Sequence, residues 1–195
     1  MVPPEQLLRR DAILDFWFGK TWSDKAITPN FELWFGGTPE IDKSIVDNFA
    51  EDVILARDGK LRHWMTESAF SCLALIILLD QFALNVFRDK PEGYQVSELA
   101  IPITYTAIAR GYDKELGNDF FKMFMFLPLE HSELMQDQEK SMEMFATCES
   151  TDLLGYAKEH RDVVEKYGRF PGRNICMGRE SRPDEIEYLK NGGVF

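Results

Sequence analysis

The chain has 195 residues, of which 45% are hydrophobic and 13% aromatic, a composition typical of one globular domain and not of a disordered chain. Its formal net charge of −11 argues against general nucleic-acid binding and against binding to anionic membranes, because both need a basic face. Three widely spaced cysteines without a CxxC pair, no apolar leader and only short apolar runs predict a soluble, reduced, cytoplasmic protein without a membrane span.

The first two helices are predicted by their end signals. Pro4 precedes an apolar pattern that stops at Gly19, as expected for a helix with proline at its start and glycine after its end. Thr38 and Pro39 are typical of an N-cap and a first helical position. The apolar face that follows them predicts a helix up to Gly59.

The third predicted helix, Leu73–Arg88, combines an apolar run with four polar residues. Gln81, Asn85 and Arg88 are spaced i, i+4 and i+7, which places them on one face of a regular helix, and Asp80 adjoins them. Because unpaired buried polar groups cost about 1–3 kcal/mol each, other groups must satisfy this face. It is either one wall of a ligand site or a buried network that ties the helix to its neighbours.

The second half of the chain is also predicted to be helical. The predicted segments are residues 96–109, with Pro102 as a kink or a late start, 120–127, 128–148 opened by Pro128, 151–167 closed by Gly168, and 183 to about 191. No segment alternates like a strand, and no linker or composition break divides the chain. We therefore predict an all-α single domain, residues 1–195, built as an array of antiparallel helix pairs.

A second polar cluster is the sequence PLEHSE at residues 128–133. Glu130 and Glu133 share a helix face, and carboxylates at this spacing hold metals or act as acid and base. The di-iron pattern of helical bundles needs Glu-x-x-His, whereas here His131 lies between two glutamates, so we predict neither metal nor cofactor. The alternative is that these acids stabilise the positive end of a helix opened by Pro128.

A third cluster forms a positive island in an acidic chain. Its members are Arg169, Arg173, Asn174, Arg179 and Arg182. Guanidinium groups suit carboxylate or phosphate ligands, and the nearby glycines allow a close backbone approach. The alternative is internal pairing with acids of other helices, including Asp80 and Glu130.

His160 lies on the same face of its predicted helix as Leu153 and Val164, so it points inward. An inward histidine is usually a hydrogen-bonded core residue, and it gains interest only if it meets His131 or the arginine island. Walker A, GxGxxG, HExxH and GxSxG motifs are not found in the sequence.

Several segments in chain order resemble an uncharacterised family catalogued as domain of unknown function 924. They are ILDFWFG (13–19), LIILLDQF (75–82) with Asn85 and Arg88, PLEHSE (128–133) with Gln138, and HRDVVEKYGRFPGRN followed by Gly178 and Arg179 (160–179). The resemblance implies an all-helical fold of the tetratricopeptide-like superfamily, without an assigned reaction. The chain has Ala83-Leu84 where the family tends to have Pro-Arg, and Gly172 where it tends to have histidine, and both changes remove polar capacity.

Two classes of function follow from these clusters, which we expect to converge on one pocket. The first is a binding module for a small anionic ligand or a protein segment. The second is an enzyme, such as a hydrolase, with His131 or His160 as base and arginines as anion stabilisers. The predicted site residues are Asp80, Gln81, Asn85, Arg88, Glu130, His131, Glu133, His160, Arg169, Arg173, Asn174 and Arg179.

Overall fold

The computed structural model describes the backbone of residues 4–195 and the side chains from Leu8 onward, so residues 1–3 of the predicted domain lie outside it. Within this range the chain is helical and contains no strand. The α-helices are α1 (Pro4–Phe18), α2 (Phe31–Phe35), α3 (Pro39–Arg57), α4 (Trp64–Glu67), α5 (Ala69–Ile76), α6 (Ala83–Val86), α7 (Pro91–Glu98), α8 (Ile101–Ala109), α9 (Tyr112–Leu116), α10 (Asp119–Glu130), α11 (Met135–Phe145), α12 (Thr151–Tyr167) and α13 (Pro183–Lys190). The predicted all-α class is confirmed, while the tetratricopeptide-like arrangement stays a prediction.

Several predicted helix ends are confirmed because their signals act locally. Gly19 follows α1 with a φ of 80°, and Gly168 follows α12 with a φ of 69°, a conformation that glycine adopts without steric cost. The Thr38 hydroxyl accepts a hydrogen bond from the Ile41 N–H at the start of α3. Pro102 lies in the first turn of α8, so the late start was the correct alternative there.

The predicted boundary at Pro128 is wrong, because this proline lies inside α10 and the helix continues to Glu130. The helix tolerates Pro128 near its end, where few backbone hydrogen bonds remain to be lost. Gln138 of α11 stabilises this end, since its Nε2 group lies 2.7 Å from the Glu130 carbonyl and 2.6 Å from the Ser132 carbonyl. Glu130 therefore lies at the negative end of a helix, and the proposed dipole stabilisation of its carboxylate is wrong.

The centre of the fold is one continuous helix, Ala69–Val86, formed by α5, a π-helical segment (Ile77–Phe82) and α6. The helices α1, α3, α7, α8 and α10 pack around it. By length and composition alone this helix would be apolar enough to cross a membrane, but 78% of it is buried inside the protein. It is therefore a core helix, as found in soluble proteins.

A smaller apolar cluster lies near the C-terminal helices. It consists of Val163, Val164, Tyr167 and Phe170, with Met135, Tyr188 and Phe195 packed against it. This second cluster positions the loop between α12 and α13, which carries the arginine island, beside the end of α10.

Candidate functional site

A pocket of about 640 Å³ lies where α10, α12 and the loop after α12 meet. Its polar end is formed by Glu130, His131, His160 and Arg173. The remaining wall is mostly apolar and includes the side chains of Phe31, Phe35, Phe145, Phe170 and Phe195. The structure therefore brings residues of the second and third clusters and His160 to one pocket.

Asp80 is completely buried and contacts the His131 ring. Its Oδ1 atom lies 2.9 Å from His131 Nδ1 and accepts a hydrogen bond of 2.5 Å from Ser97 Oγ, while its Oδ2 atom accepts one of 2.5 Å from Gln81 Nε2. Burial alone would raise the pKa of Asp80, but the charge of His131 and these hydrogen bonds hold this pKa below its usual range. Burial alone would lower the pKa of His131, yet the Asp80 carboxylate keeps it above 6.5.

The π-helical segment explains why the predicted polar face divides into two sets. The Ala83 N–H bonds the Leu78 carbonyl, a five-residue step, and such a turn changes the helical register of the residues that follow. Asp80 and Gln81 lie inside the π segment and face the end of α10. Turns of this kind are common at functional sites.

Asn85 and Arg88 lie after the π segment and face α3 instead of the pocket. The Asp42 carboxylate accepts a hydrogen bond of 2.7 Å from Asn85 Nδ2 and one of 2.8 Å from Arg88 Nε. These two predicted site residues therefore join the central helix to the start of α3. Of the first cluster, Asp80 contacts the pocket residue His131 and Gln81 contacts Asp80, but neither lines the pocket, and Asn85 and Arg88 lie elsewhere.

Glu130 and His160 form the second carboxyl–histidine contact of the pocket. Glu130 Oε1 lies 3.2 Å from His160 Nδ1, which also lies 2.9 Å from the Tyr156 carbonyl oxygen. Burial raises the pKa of Glu130 to about 7 and lowers the pKa of His160 to about 4. Between about pH 4 and pH 7 the contact therefore joins a neutral carboxylic acid and a neutral imidazole.

Arg173 supplies the cation of the pocket. Its guanidinium group lies 4.9 Å from the ring centroid of Tyr94 and 4.3 Å from that of Phe170, and its Nη1 atom donates a hydrogen bond of 2.8 Å to the His131 carbonyl. Burial lowers the pKa of Arg173 from its usual value. Among the side chains described from Leu8 onward, no carboxylate lies within ion-pair distance of this guanidinium group.

The other members of the arginine island pair with acids. Arg169 bonds the buried Glu185 at 2.7 and 2.8 Å, and Asn174 Nδ2 lies 3.1 Å from the same carboxylate. The hydrogen bond from Arg169 is the main cause that lowers the pKa of Glu185 to about 2. The internal-pairing alternative therefore describes these residues, whose role is to fix the loop that carries Arg173.

Arg179 has a similar structural role. It makes two hydrogen bonds of 2.6 and 3.0 Å to Glu133, which also accepts the Phe170 N–H at 2.8 Å. Asp80 and Glu130 contact histidines and not arginines, so their predicted pairing with arginines is wrong. Sequence reasoning chose these partners wrongly because all the acids were equally available until the tertiary contacts were known.

Sequence reasoning missed the segment that covers His160. The Gly172 N–H donates a hydrogen bond of 2.7 Å to the Phe195 carbonyl, and the rings of Phe195 and His160 lie 3.8 Å apart between centroids. A Cβ atom on residue 172 would lie 2.9 Å from the Phe195 carbonyl carbon, closer than packing allows. The glycine at position 172 was the available signal, because a residue without a side chain leaves the space that Phe195 occupies.

Cys72 and Cys148 do not line the pocket, and both are weakly acidic. Burial raises the pKa of Cys72 to about 12 and that of Cys148 to about 11, so neither thiol ionises readily. Among the described residues, no group of three histidine, cysteine, aspartate or glutamate side chains is arranged to hold a metal ion.

The comparisons with known proteins agree on the family. The family model described as a bacterial protein of unknown function (DUF924) matches residues 13–193. A solved structure of a protein of unknown function from Agrobacterium tumefaciens is 35% identical, with a TM-score of 0.83, and the match covers 96% of this chain and 99% of that one. No curated protein matches the chain. With a family match over nearly its whole length and a similar solved structure, the chain belongs to the DUF924 family.

Proposed function

We propose that this protein binds a small amphipathic anion, with the anionic group at Arg173 and the apolar body against the aromatic wall. The observation that carries the proposal is the absence of a carboxylate partner for Arg173 among the described side chains. Arg88, Arg169 and Arg179 each pair with one. In a chain of net charge −11, a pocket arginine without an acid is a natural receptor for an external carboxylate or phosphate.

The charge of the neighbouring side chains supports an anion. The raised pKa of His131 favours its protonated form in mildly acidic solution, while the raised pKa of Glu130 keeps this carboxyl group neutral. The polar end therefore becomes more positive as the pH falls below 7. Anion affinity should weaken as the pH rises through about 7, where Glu130 ionises, and again as the pH passes the raised pKa of His131.

The size and wall of the pocket support a ligand with an apolar body. Its 640 Å³ is within the usual range of small-molecule sites, about 300–1,000 Å³. Phe31 and Phe35 contribute to the wall although each is more than half exposed, which leaves apolar surface for a ligand to cover. A small ligand fits better than a protein segment because Glu130 lies buried at the end of the pocket and not along an open groove.

Titration calorimetry with octanoate, octanol and octylammonium tests this proposal. We expect octanoate to bind at least about tenfold more tightly than octanol, with octylammonium weakest, because only the carboxylate pairs with Arg173. Arg173→Met should remove the preference for octanoate. The matched control is Arg161→Met on α12, which removes a partly buried arginine that lies outside the pocket and pairs with Glu139, and it should leave binding unchanged. Equal affinities for the three compounds, or full octanoate binding by Arg173→Met, would refute the proposal.

A further inference from the structure

We propose that the pocket hydrolyses esters of apolar carboxylic acids, with His131 as general base, Glu130 as general acid and Arg173 as the group that stabilises the oxyanion. The inference rests on the proposed function, since the anion bound at Arg173 is then the product carboxylate. It adds a reaction to the binding site and assigns a separate role to each polar residue.

The contact with Asp80 sets the orientation of the base. A carboxylate only accepts hydrogen bonds, so His131 Nδ1 carries the hydrogen that faces Asp80 at 2.9 Å. Asp80 is fully buried, whereas the His131 side chain is 21% exposed and lines the pocket. The accessible edge of the ring is therefore the edge opposite Asp80, which contains Nε2, the nitrogen with a free lone pair.

Asp80 acts as a positioning residue. Ser97 and Gln81 each donate a hydrogen bond of 2.5 Å to it, so its carboxylate is fixed before any ligand arrives. This arrangement matches the base and its orienting acid in hydrolytic triads, with water taking the place of a side-chain nucleophile. No hydrogen-bond partner of His131 Nε2 is found among the side chains from Leu8 to Phe195, which leaves this atom available for a water molecule.

The remaining groups complete the reaction. A water oxygen attacks the ester carbonyl carbon while His131 Nε2 takes a water proton, and the oxyanion forms beside the Arg173 guanidinium group. The bond from carbon to the alcohol oxygen then breaks, and that oxygen takes the proton of the neutral Glu130 carboxyl group. Proton transfer from His131 back to Glu130 restores both groups, so ester and water become acid and alcohol.

Acyl transfer fits the charges better than phosphoryl transfer. One guanidinium group matches a single oxyanion, whereas a phosphoryl group spreads charge over three oxygens and normally needs several cations. The apolar wall would hold the acyl chain. His160 has its Nδ1 atom engaged by Tyr156 and Glu130, so it is a poor base and serves to keep Glu130 in place.

The pH dependence of kcat/KM should be bell-shaped. The acidic limb reports loss of the proton from His131, which faces Asp80, Arg173, Glu130 and His160. The basic limb reports ionisation of Glu130, which faces His131, His160, Asp80 and Glu159. Activity should rise as the pH passes the pKa of His131, above 6.5, and fall as the pH passes about 7. The maximum therefore lies between these two pKa values.

The test measures kcat/KM for nitrophenyl and ethyl esters of acetate, octanoate and dodecanoate. We expect a preference for octanoate over acetate, and a loss of at least about 100-fold for His131→Gln, the usual range for a general base. Asp80→Asn should cause a comparable loss because it removes the carboxylate that orients His131. Glu130→Gln should slow the ethyl ester at least tenfold and remove its basic limb, yet leave the nitrophenyl ester nearly unchanged, since nitrophenolate leaves without a proton. His63→Gln, at an exposed histidine outside the pocket, is the matched control and should retain full activity.

The possible outcomes separate this inference from the proposed function. Octanoate binding to wild type and His131→Gln without hydrolysis of any ester would overturn the reaction and leave the binding site intact. Equal rates for His131→Gln and wild type would also overturn it. If circular dichroism shows that His131→Gln is unfolded, Glu130→Gln tests the reaction instead. Equal losses of rate for the ethyl and nitrophenyl esters in that variant would then overturn it.

Discussion

Two carboxyl–histidine contacts lie side by side at the polar end of the pocket, and they differ in charge. Asp80–His131 and Glu130–His160 span 2.9 and 3.2 Å, and both carboxyl groups are buried. In the first pair the pKa of the acid falls and that of the histidine rises, as in an ion pair. In the second pair the pKa values move in the opposite directions, to about 7 for the acid and about 4 for the histidine.

The number of donors around each carboxyl group explains the difference. Asp80 accepts hydrogen bonds from Ser97 and Gln81 in addition to its contact with His131, and together they outweigh the cost of burial. Within the described side chains, Glu130 has only the His160 contact, and it lies at the negative end of α10. Distance alone therefore does not make an ion pair, because the surrounding donors decide whether the charge is stable.

The largest expected effect on the free energy of unfolding is that of removing Asp80, the charged acid of the first pair. Asp80→Ala leaves His131, Ser97 and Gln81 without their acceptor and should lower the free energy of unfolding by about 3–5 kcal/mol in urea titration. The control Asp42→Ala breaks the partly exposed pair with Arg88 and should cost about 1 kcal/mol. Equal losses would show that Asp80 is not the more strongly stabilised carboxylate.

Replacement of Glu130, the uncharged acid, should have a smaller effect on stability and of opposite sign: the protein becomes more stable at high pH. Because the folded-state pKa of Glu130, about 7, is above the ordinary value of 4.5, ionisation destabilises the fold progressively as the pH rises from 4.5 through 7. Glu130→Gln should remove this loss. The change in the free energy of unfolding from pH 5 to pH 8 should therefore be about 2 kcal/mol more favourable in the variant than in wild type. Urea titrations at the two pH values measure this difference.

Glu133 supplies the matched control for that measurement. Burial alone would raise the pKa of Glu133, but the bond from Arg179 and the Phe170 N–H lower it below 4.5. Its contribution to stability is therefore present above pH 4.5 and is lost as the pH falls through the lowered pKa. Glu133→Gln should destabilise the protein at pH 8, and a gain there would contradict the charge assignment of both glutamates.

Nuclear magnetic resonance titration should separate the two histidines directly. We expect the His160 ring to titrate near pH 4 and the His131 ring above pH 6.5, so that at pH 5.5 only His131 is charged. Asp80→Asn should move the pKa of His131 downward, since burial remains while the stabilising charge is gone. Two rings titrating together near 6.5 would remove the contrast between the pairs.

The smallest expected effect on stability is that of a substitution beside Phe195, whose ring covers His160 of the uncharged Glu130–His160 pair. Gly172→Ala places a Cβ atom against the Phe195 carbonyl, so Phe195 must shift away from His160. We expect a stability loss below about 1 kcal/mol, the lower part of the range for point mutations, and an upward shift of the pKa of His160 as water reaches the ring.

Gly155→Ala is the control for this substitution. Gly155 lies within α12, and a Cβ atom there meets nothing within 4 Å. Alanine should therefore stabilise the helix by about 0.5–1 kcal/mol and leave the titration of His160 unchanged. An unchanged His160 titration in Gly172→Ala as well would show that Phe195 does not control the hydration of this ring.

The sequence by itself determined the helical class, several helix ends and the family. The stops at Gly19 and Gly168 and the cap at Thr38 depend on a few adjacent residues, so local chemistry was enough to predict them. The sequence also named Glu130, His131, His160 and Arg173, because polar residues in apolar or acidic surroundings stand out.

Only the tertiary structure decided which polar groups meet. The π segment at residues 77–82 separates Gln81 from Asn85, and the continuation of α10 past Pro128 turns Glu130 toward His160. Neither event has a local sequence signal, since each depends on packing against other helices. Asp80 has a histidine partner, and Arg173 has no carboxylate partner among the side chains from Leu8 onward, because long-range contacts set the choice of partner, and composition and spacing do not encode these contacts.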